Sequence, residues 1–288
     1  MNKKLLDLSG KIDGITVELF DVIADVADSL NVPFFVIGAR ARDWILELGY
    51  DIPTMRRTED VDLGVQVSDW DSYARLREAL TATNKFSPDK KKAQRLLYKG
   101  SFSVDIIPFG AIAEPDERVF WPPDDEFEMS TEGFEETYQT SIIIKMKAKP
   151  LLEIQSVSLA GLAILKIISW NDNPVRGDRD AKDLLLLMRT YLDAGNQERL
   201  YSEEADLMEK EDFDYDLVSA RLLGRDVAAI LRPKTRDAIL RILDKETGGD
   251  QSDYRLVYSM LGYGADSTDF EMPLQLLEEM KAGILEKV

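Results

Sequence analysis

Thr58-Glu59-Asp60-Val61-Asp62-Leu63-Gly64-Val65-Gln66-Val67 decides the fold. From Asp60 onward polar and apolar residues alternate, the pattern of a half-buried strand. Asp60 and Asp62 stand at i and i+2, so a strand turns both to one face, with Cα atoms ~6.6 Å apart. Two bare carboxylates at that spacing repel by ~2–3 kcal/mol at an effective dielectric of about 20. A divalent cation between them converts the repulsion to attraction; the alternative is a solvated strand face.

A second strand is expected at Phe102-Ser103-Val104-Asp105-Ile106-Ile107, where Asp105 is flanked by apolar residues and needs a partner. It is joined to a strand at Arg95–Lys99 through Lys99-Gly100-Ser101, a hairpin signal. If the Asp105 strand lies beside the Asp60-Val61-Asp62 strand, three carboxylates reach one face at ~5 Å spacing. Such a set suits Mg²⁺ (or Mn²⁺), which takes oxygen ligands and shares substrate phosphates. It also suits two ions ~3.5–4 Å apart, arranged for in-line phosphoryl or nucleotidyl transfer. Upstream, Val36-Ile37-Gly38-Ala39-Arg40-Ala41-Arg42-Asp43 reads as a strand, a glycine and a helix start, either an ordinary strand–helix turn or one whose amides meet a phosphate.

Composition narrows the chemistry. The 288 residues contain no cysteine and no histidine, which excludes thiol nucleophiles, disulfides, thiolate zinc sites and histidine triads. Acid–base or metal work must rest on Asp, Glu, Lys, Arg and Tyr. The formal charge is −18, unsuited to long polyanions or anionic membranes. No apolar run is long enough for a membrane span, and the acid-interrupted start does not read as a signal peptide, so the cytoplasm is the expected compartment. The expected helices of the first half are 12–30, 39–49 and an exposed one at 69–83; further strands are expected at Ser141–Met146 and Leu151–Val157. Residues 114–136, with ten acidic residues against Arg118 alone, read as an acidic loop and a possible docking surface for a protein partner. Beyond that the periodicity is helical at 158–171, 178–193, 198–210, 214–231, 233–247 and 273–287. The fold class is therefore α+β: a small mixed sheet with flanking helices over 1–155, then an all-helical domain over 156–288.

The order Gly38, Asp60-Val61-Asp62, Asp105 resembles the polymerase-beta-type nucleotidyltransferase superfamily, and VIGARARDWILELG resembles the glycine turn and Arg-Asp helix of CCA-adding enzymes and poly(A) polymerases. The resemblance implies that Asp60 and Asp62 bind metal and nucleotide phosphates. Asp105 would hold the catalytic metal and help activate an acceptor hydroxyl. Ala39 departs from the pattern, which has Gly or Ser there: a side-chain phosphate contact is lost while the backbone amide remains.

Farther on, Lys166 sits on the apolar helix Gly161-Leu162-Ala163-Ile164-Leu165-Lys166, followed by Arg176 and Asp178-Arg179-Asp180-Ala181-Lys182-Asp183. Asp180 and Asp183, at i and i+3, share a helix face. Lys166 either pairs structurally with them or meets a nucleotide phosphate while they fix its position. This order resembles the abortive-infection (AbiEii-like) branch, in which a helical C-terminal domain closes over the nucleotide; the site is expected in the cleft between the domains, where ligands commonly bind. By that resemblance Gly38, Ala39, Arg42, Lys166, Arg179, Asp180 and Asp183 bind the nucleotide. The implied activity is Mg-dependent transfer of a nucleotidyl group from an NTP to a hydroxyl of RNA (tRNA for toxin-like relatives), a protein or a small molecule. The alternative is a non-catalytic nucleotide- or partner-binding module on the same fold. The basic cluster Lys85, Lys90, Lys91, Lys92, Arg95 and Lys99 either guides phosphate or protects a hairpin edge. Arg56 and Arg57 either touch phosphate or balance the acids.

Overall fold

The structure, a computed structural model, describes residues 3–54, 58–122, 127–173, 177–209, 213–248, 252–262 and 269–286. Arg56, Arg57 and Arg176 lie outside the described residues. In chain order the first part forms β1 (Leu5–Asp7), α1 (Gly14–Leu30), β2 (Phe34–Ile37) and α2 (Gly38–Asp43), which runs into a π-helical turn at Trp44–Gly49. Then come β3 (Val61–Gln66), α3 (Trp70–Ala82), β4 (Phe86–Pro88), β5 (Arg95–Tyr98) and β6 (Phe102–Phe109). They are followed by β7 (Arg118–Trp121), β8 (Phe127–Ser130), α4 (Phe134–Gln139), β9 (Ile142–Lys147) and β10 (Leu152–Ser156). The rest is helical: α5 (Leu159–Asp172), α6 (Asp178–Thr190), α7 (Tyr215–Ile230), α8 (Pro233–Thr247), α9 (Arg255–Leu261) and α10 (Glu271–Glu286). This is the expected α+β class. The chain divides into two compact units, Met1–Ser158 and Leu159–Val288. Among the described residues no helix is long and apolar enough to cross a membrane.

The first unit is built on a mixed eight-stranded sheet in the order β1-β9-β10-β2-β3-β6-β5-β4. β3 pairs antiparallel with β2 and parallel with β6. Parallel neighbours need a long crossover, which α3, β4 and β5 supply. Phe35 on β2 faces Gly64 on β3 in register. A Cβ on Gly64 would stand 2.4 Å from the Phe35 ring, so the glycine makes room for it. The Phe35 ring meets Phe109, Phe134 and Tyr138 at 5.4–6.2 Å, edge-on contacts that fix the central strands against α4.

Several expectations need correction. α3, expected to be exposed, buries Tyr73, Leu76 and Leu80; an i, i+3, i+7 stripe hidden among charged residues docks it. The acidic stretch contains an antiparallel β7–β8 pair and α4, because Val119 and Trp121 are buried and draw the strand inward despite its charge. The stretch 198–210 forms two 3₁₀ turns, Gln197–Tyr201 and Ala205–Met208, and no continuous helix. Tertiary ion pairs hold them: Arg199 forks onto Asp226 at 2.6 and 2.8 Å, and Arg225 reaches Glu204 at 2.5 Å and Asp206 at 2.9 Å.

In the second unit, α7 and α10 meet backbone to backbone through Gly224 and Gly283. A Cβ on Gly224 would lie 2.0 Å from the Met280 carbonyl oxygen. Arg221 and Arg225 close the same seam on Glu279 and Glu286 at 2.9 and 2.7 Å. Gly224→Ala therefore forces the helices apart, and overpacking of this kind costs ~1–3 kcal/mol. The urea unfolding midpoint should fall accordingly; an unchanged midpoint would show that the seam opens freely.

Candidate active site

The sheet register brings the acidic residues together. Asp62 on β3 lies opposite Asp105 on β6. On its other side Asp62 faces Ile37, the last residue of β2, so Gly38 opens α2 directly beside it. Asp60 immediately precedes β3 and completes the group. Each of Asp60, Asp62 and Asp105 offers one carboxylate oxygen, and these oxygens lie within 4.8 Å of one another. The Asp105 side chain is 12% exposed and that of Asp60 46%, so the cluster runs from a largely buried floor to an open edge.

Gly38 is required on two counts. Its φ of +69° lies in the left-handed region, where a side chain is strained. A Cβ there would also stand 2.3 Å from Asp62 Oδ2. The turn is thus shaped around the Asp62 carboxylate. Ala39 and Arg42 follow on α2. Ala39 is buried, and so is Arg42, whose Nε donates to Asp43 Oδ1 at 2.9 Å.

Three carboxylates so close cannot share a face uncompensated. Arg95 meets this need. It stands opposite Asp105 across the β5–β6 hairpin. Its Nε donates to Asp105 Oδ1 at 2.6 Å and Nη2 donates to Oδ2 at 2.8 Å. Nη2 also lies 3.5 Å from Asp60 Oδ2. The hydrogen bond to Asp105 raises the Arg95 pKa above its ordinary value. The sequence puts Arg95 in a basic cluster and at the start of the hairpin strand but does not by itself pair it with Asp105, although the signal is there: counting back from the turn at Lys99-Gly100-Ser101 sets Arg95 against Asp105. Of the other lysines in that cluster, Lys85 and Lys99 turn to Glu18 at 3.6 and 2.6 Å.

Arg40 is a second residue that sequence reading left unassigned. From α2 its Nη2 donates to the Thr58 carbonyl at 2.7 Å and Nε to the Asp60 carbonyl at 3.4 Å. Its guanidinium also lies 5.7 Å from the centre of the Phe102 ring. Arg40 therefore braces the backbone that delivers Asp60.

In the second unit Lys166, Asp180 and Asp183 meet one another. Lys166 is 7% exposed on α5. Its Nζ lies 2.6 Å from Asp180 Oδ1 and 2.7 Å from Asp183 Oδ2 on α6. Ser169, one turn along α5, donates to Asp180 Oδ2 at 2.9 Å. Burial opposes charge on Lys166, but the two carboxylates raise its pKa above the ordinary value. Arg179, on the first turn of α6, is exposed.

Donor chemistry decides what the acidic cluster can hold. All the cluster's side-chain donors are hard carboxylate oxygens, and a guanidinium already bridges two of the three groups. The residues therefore fit a hard divalent cation. The Lys166 cluster makes a separate prediction. Lys166→Met strands two acids in a buried setting, and breaking such a pair costs ~3–5 kcal/mol. The measurement is the urea midpoint; an unchanged value would contradict a supporting role for the pair.

Comparison with known proteins follows the same stretches. The profile of the family described as "Nucleotidyl transferase AbiEii toxin, Type IV TA system" matches residues 45–272. No curated protein matches the chain. Among solved structures, the chain is similar to ANT(2″)-Ia in complex with adenylyl-2″-tobramycin: 14% identity, 67% of this chain and 96% of that chain covered, TM-score 0.36. It is also similar to the Thermotoga maritima CCA-adding enzyme complexed with tRNA: 17% identity, 92% and 67% covered, TM-score 0.35. A CCA-adding enzyme with CTP gives 19% identity, 97% and 71% covered, and a TM-score of 0.34. Gly38, Ala39 and Arg42 precede the family match, whereas Asp60, Asp62, Asp105, Lys166, Asp180 and Asp183 lie within it. A match of that extent, running through both clusters, means that the chain belongs to the AbiEii nucleotidyl transferase family and is an enzyme of that class.

Proposed function

We propose that the chain transfers a nucleotidyl group from an NTP to an acceptor hydroxyl at the Asp60, Asp62 and Asp105 cluster. The observation that carries this reading is the convergence of three carboxylate oxygens within 4.8 Å in a chain of this family. In such a reaction the acceptor oxygen forms a bond to the α-phosphorus, the bond from that phosphorus to the bridging oxygen breaks, and pyrophosphate leaves. Mg²⁺ or Mn²⁺ held by Asp60, Asp62 and Asp105 would supply charge neutralisation at the phosphates.

The chain's own residues have distinct tasks in this reading. Asp60 and Asp62 orient the nucleotide from the open side of the cluster. Asp105, on the buried floor, takes the proton of the acceptor hydroxyl at its carboxylate. Gly38 keeps the space beside Asp62 clear of side-chain atoms. Ala39 leaves the turn without a hydroxyl, so phosphate recognition there falls to the backbone. Arg40 holds the approach to β3 rigid. Lys166 and Arg179 are the helical unit's cations for nucleotide phosphate in this reading, with Asp180 and Asp183 fixing Lys166. The chemistry asks mainly for positioning and fixed charge, so a chain without histidine or cysteine is equipped for it.

The acceptor is a hydroxyl of tRNA, a protein or a small molecule; the charge of −18 favours a small or cationic one, and the toxin description of the family favours RNA. The test is incubation with each α-labelled NTP, Mg²⁺, and total cellular RNA, total protein or a small-molecule extract in separate arms. Label should enter one acceptor class, and both EDTA and Asp62→Asn should abolish it. Asp62→Asn removes like-charge repulsion, so its melting temperature should equal or exceed that of the wild type. Full labelling by Asp62→Asn would refute the assignment. Binding of no NTP, with or without Mg²⁺, would favour a partner-binding module on the same fold.

A further inference from the structure

The register row across the sheet runs Ile37, Asp62, Asp105, Arg95. Its last member does more than balance charge. Arg95 engages both oxygens of Asp105, in the two-pronged geometry that makes guanidinium–carboxylate pairs strong. It approaches Asp60 with the same nitrogen that holds Asp105 Oδ2. The Arg95 side chain is 16% exposed and the Asp105 side chain 12%, so water screens the pair weakly. A divalent cation bound to Asp105 at about 2.1 Å would come within about 5 Å of this guanidinium. Two cations that close in a poorly screened setting repel strongly. The metal and the guanidinium therefore compete for the same oxygens.

We propose that Arg95 is a resident counter-cation that a divalent metal must displace from Asp105. This inference rests on reading Asp60, Asp62 and Asp105 as the metal site. Without the metal, Arg95 keeps Asp62 and Asp105 from repelling each other across the parallel strands. When the metal enters, the guanidinium leaves Asp105 and becomes available to an anion. A nucleotide triphosphate gives it that partner, so metal and nucleotide each favour binding of the other. Metal alone binds weakly; metal with nucleotide binds well. Arg95 thus links site assembly to the presence of substrate.

The experiment is a Mn²⁺ titration of EDTA-stripped full-length protein without nucleotide, read by the electron paramagnetic resonance of free Mn²⁺. Wild type, Arg95→Ala and Arg95→Lys are compared, with Asp105→Asn as the site control. Arg95→Ala removes a charge-assisted bond that metal must otherwise break, so it should bind Mn²⁺ about tenfold or more tightly than wild type. Arg95→Lys, which keeps the charge without the fork, should fall between them, and Asp105→Asn should lose binding. Equal or weaker binding by a folded Arg95→Ala protein overturns displacement and leaves the metal site standing. No binding by wild type or either Arg95 variant overturns the metal reading and this inference with it. If the Arg95 variants do not fold, phenylglyoxal labelling of wild type decides. Mn²⁺ should speed modification of Arg95, mapped by mass spectrometry; an equal or slower rate overturns the proposal.

Discussion

Asp62 and Asp105 stand opposite each other because β3 and β6 pair in parallel with no register shift between them. Two carboxylates on adjacent strands, with Asp60 one step away, form a standing electrostatic demand. The surrounding structure answers it. Gly38 gives Asp62 room that no other residue would leave. Arg95 supplies positive charge from the opposite strand. Arg40 fixes the backbone at Thr58 and Asp60 through their carbonyl oxygens. None of these residues is needed to make a sheet; each is needed to let this sheet carry three acids on one face.

The second unit treats charge differently. Eleven residues of α5, from Leu159 to Trp170, are buried, and Lys166 is the one cation among them. It is retained because two acids on α6 hold it from one turn to the next. Buried ion pairs contribute little net stability against an apolar substitute, but losing one partner is expensive. The glycine seam of α7 and α10, by contrast, is a matter of backbone fit.

Much of the central sheet was legible: alternation marks β3, the turn at Lys99-Gly100-Ser101 marks the β5–β6 hairpin, and short strand-like runs mark β9 and β10. The Asp60 and Asp62 pair followed from the alternation, and the Asp105 strand from its apolar flanks and the adjoining hairpin turn. Strands with distant partners escaped it: β1 is three residues long and pairs with β9 through Leu5 and Ile143, a contact no local window contains. The β7–β8 pair was hidden by acidic composition, since two buried apolar residues outweigh the charges around them. The 3₁₀ turns after α6 read as helix because their spacing is amphipathic, while ion pairs to Asp226 and Arg225 hold them in another shape. Arg95 is the instructive case. Its role needed the hairpin register as well as its residue type, and that register was within reach of the turn at Gly100.

The central claim is that Asp60, Asp62 and Asp105 together bind a divalent cation. Anomalous diffraction from a crystal soaked in Mn²⁺ and NTP tests it without relying on turnover. Anomalous density is expected between the three carboxylates, at about 2.1–2.2 Å from an oxygen of each. Saturating Mn²⁺ with no density there, or density on other acids alone, would contradict it.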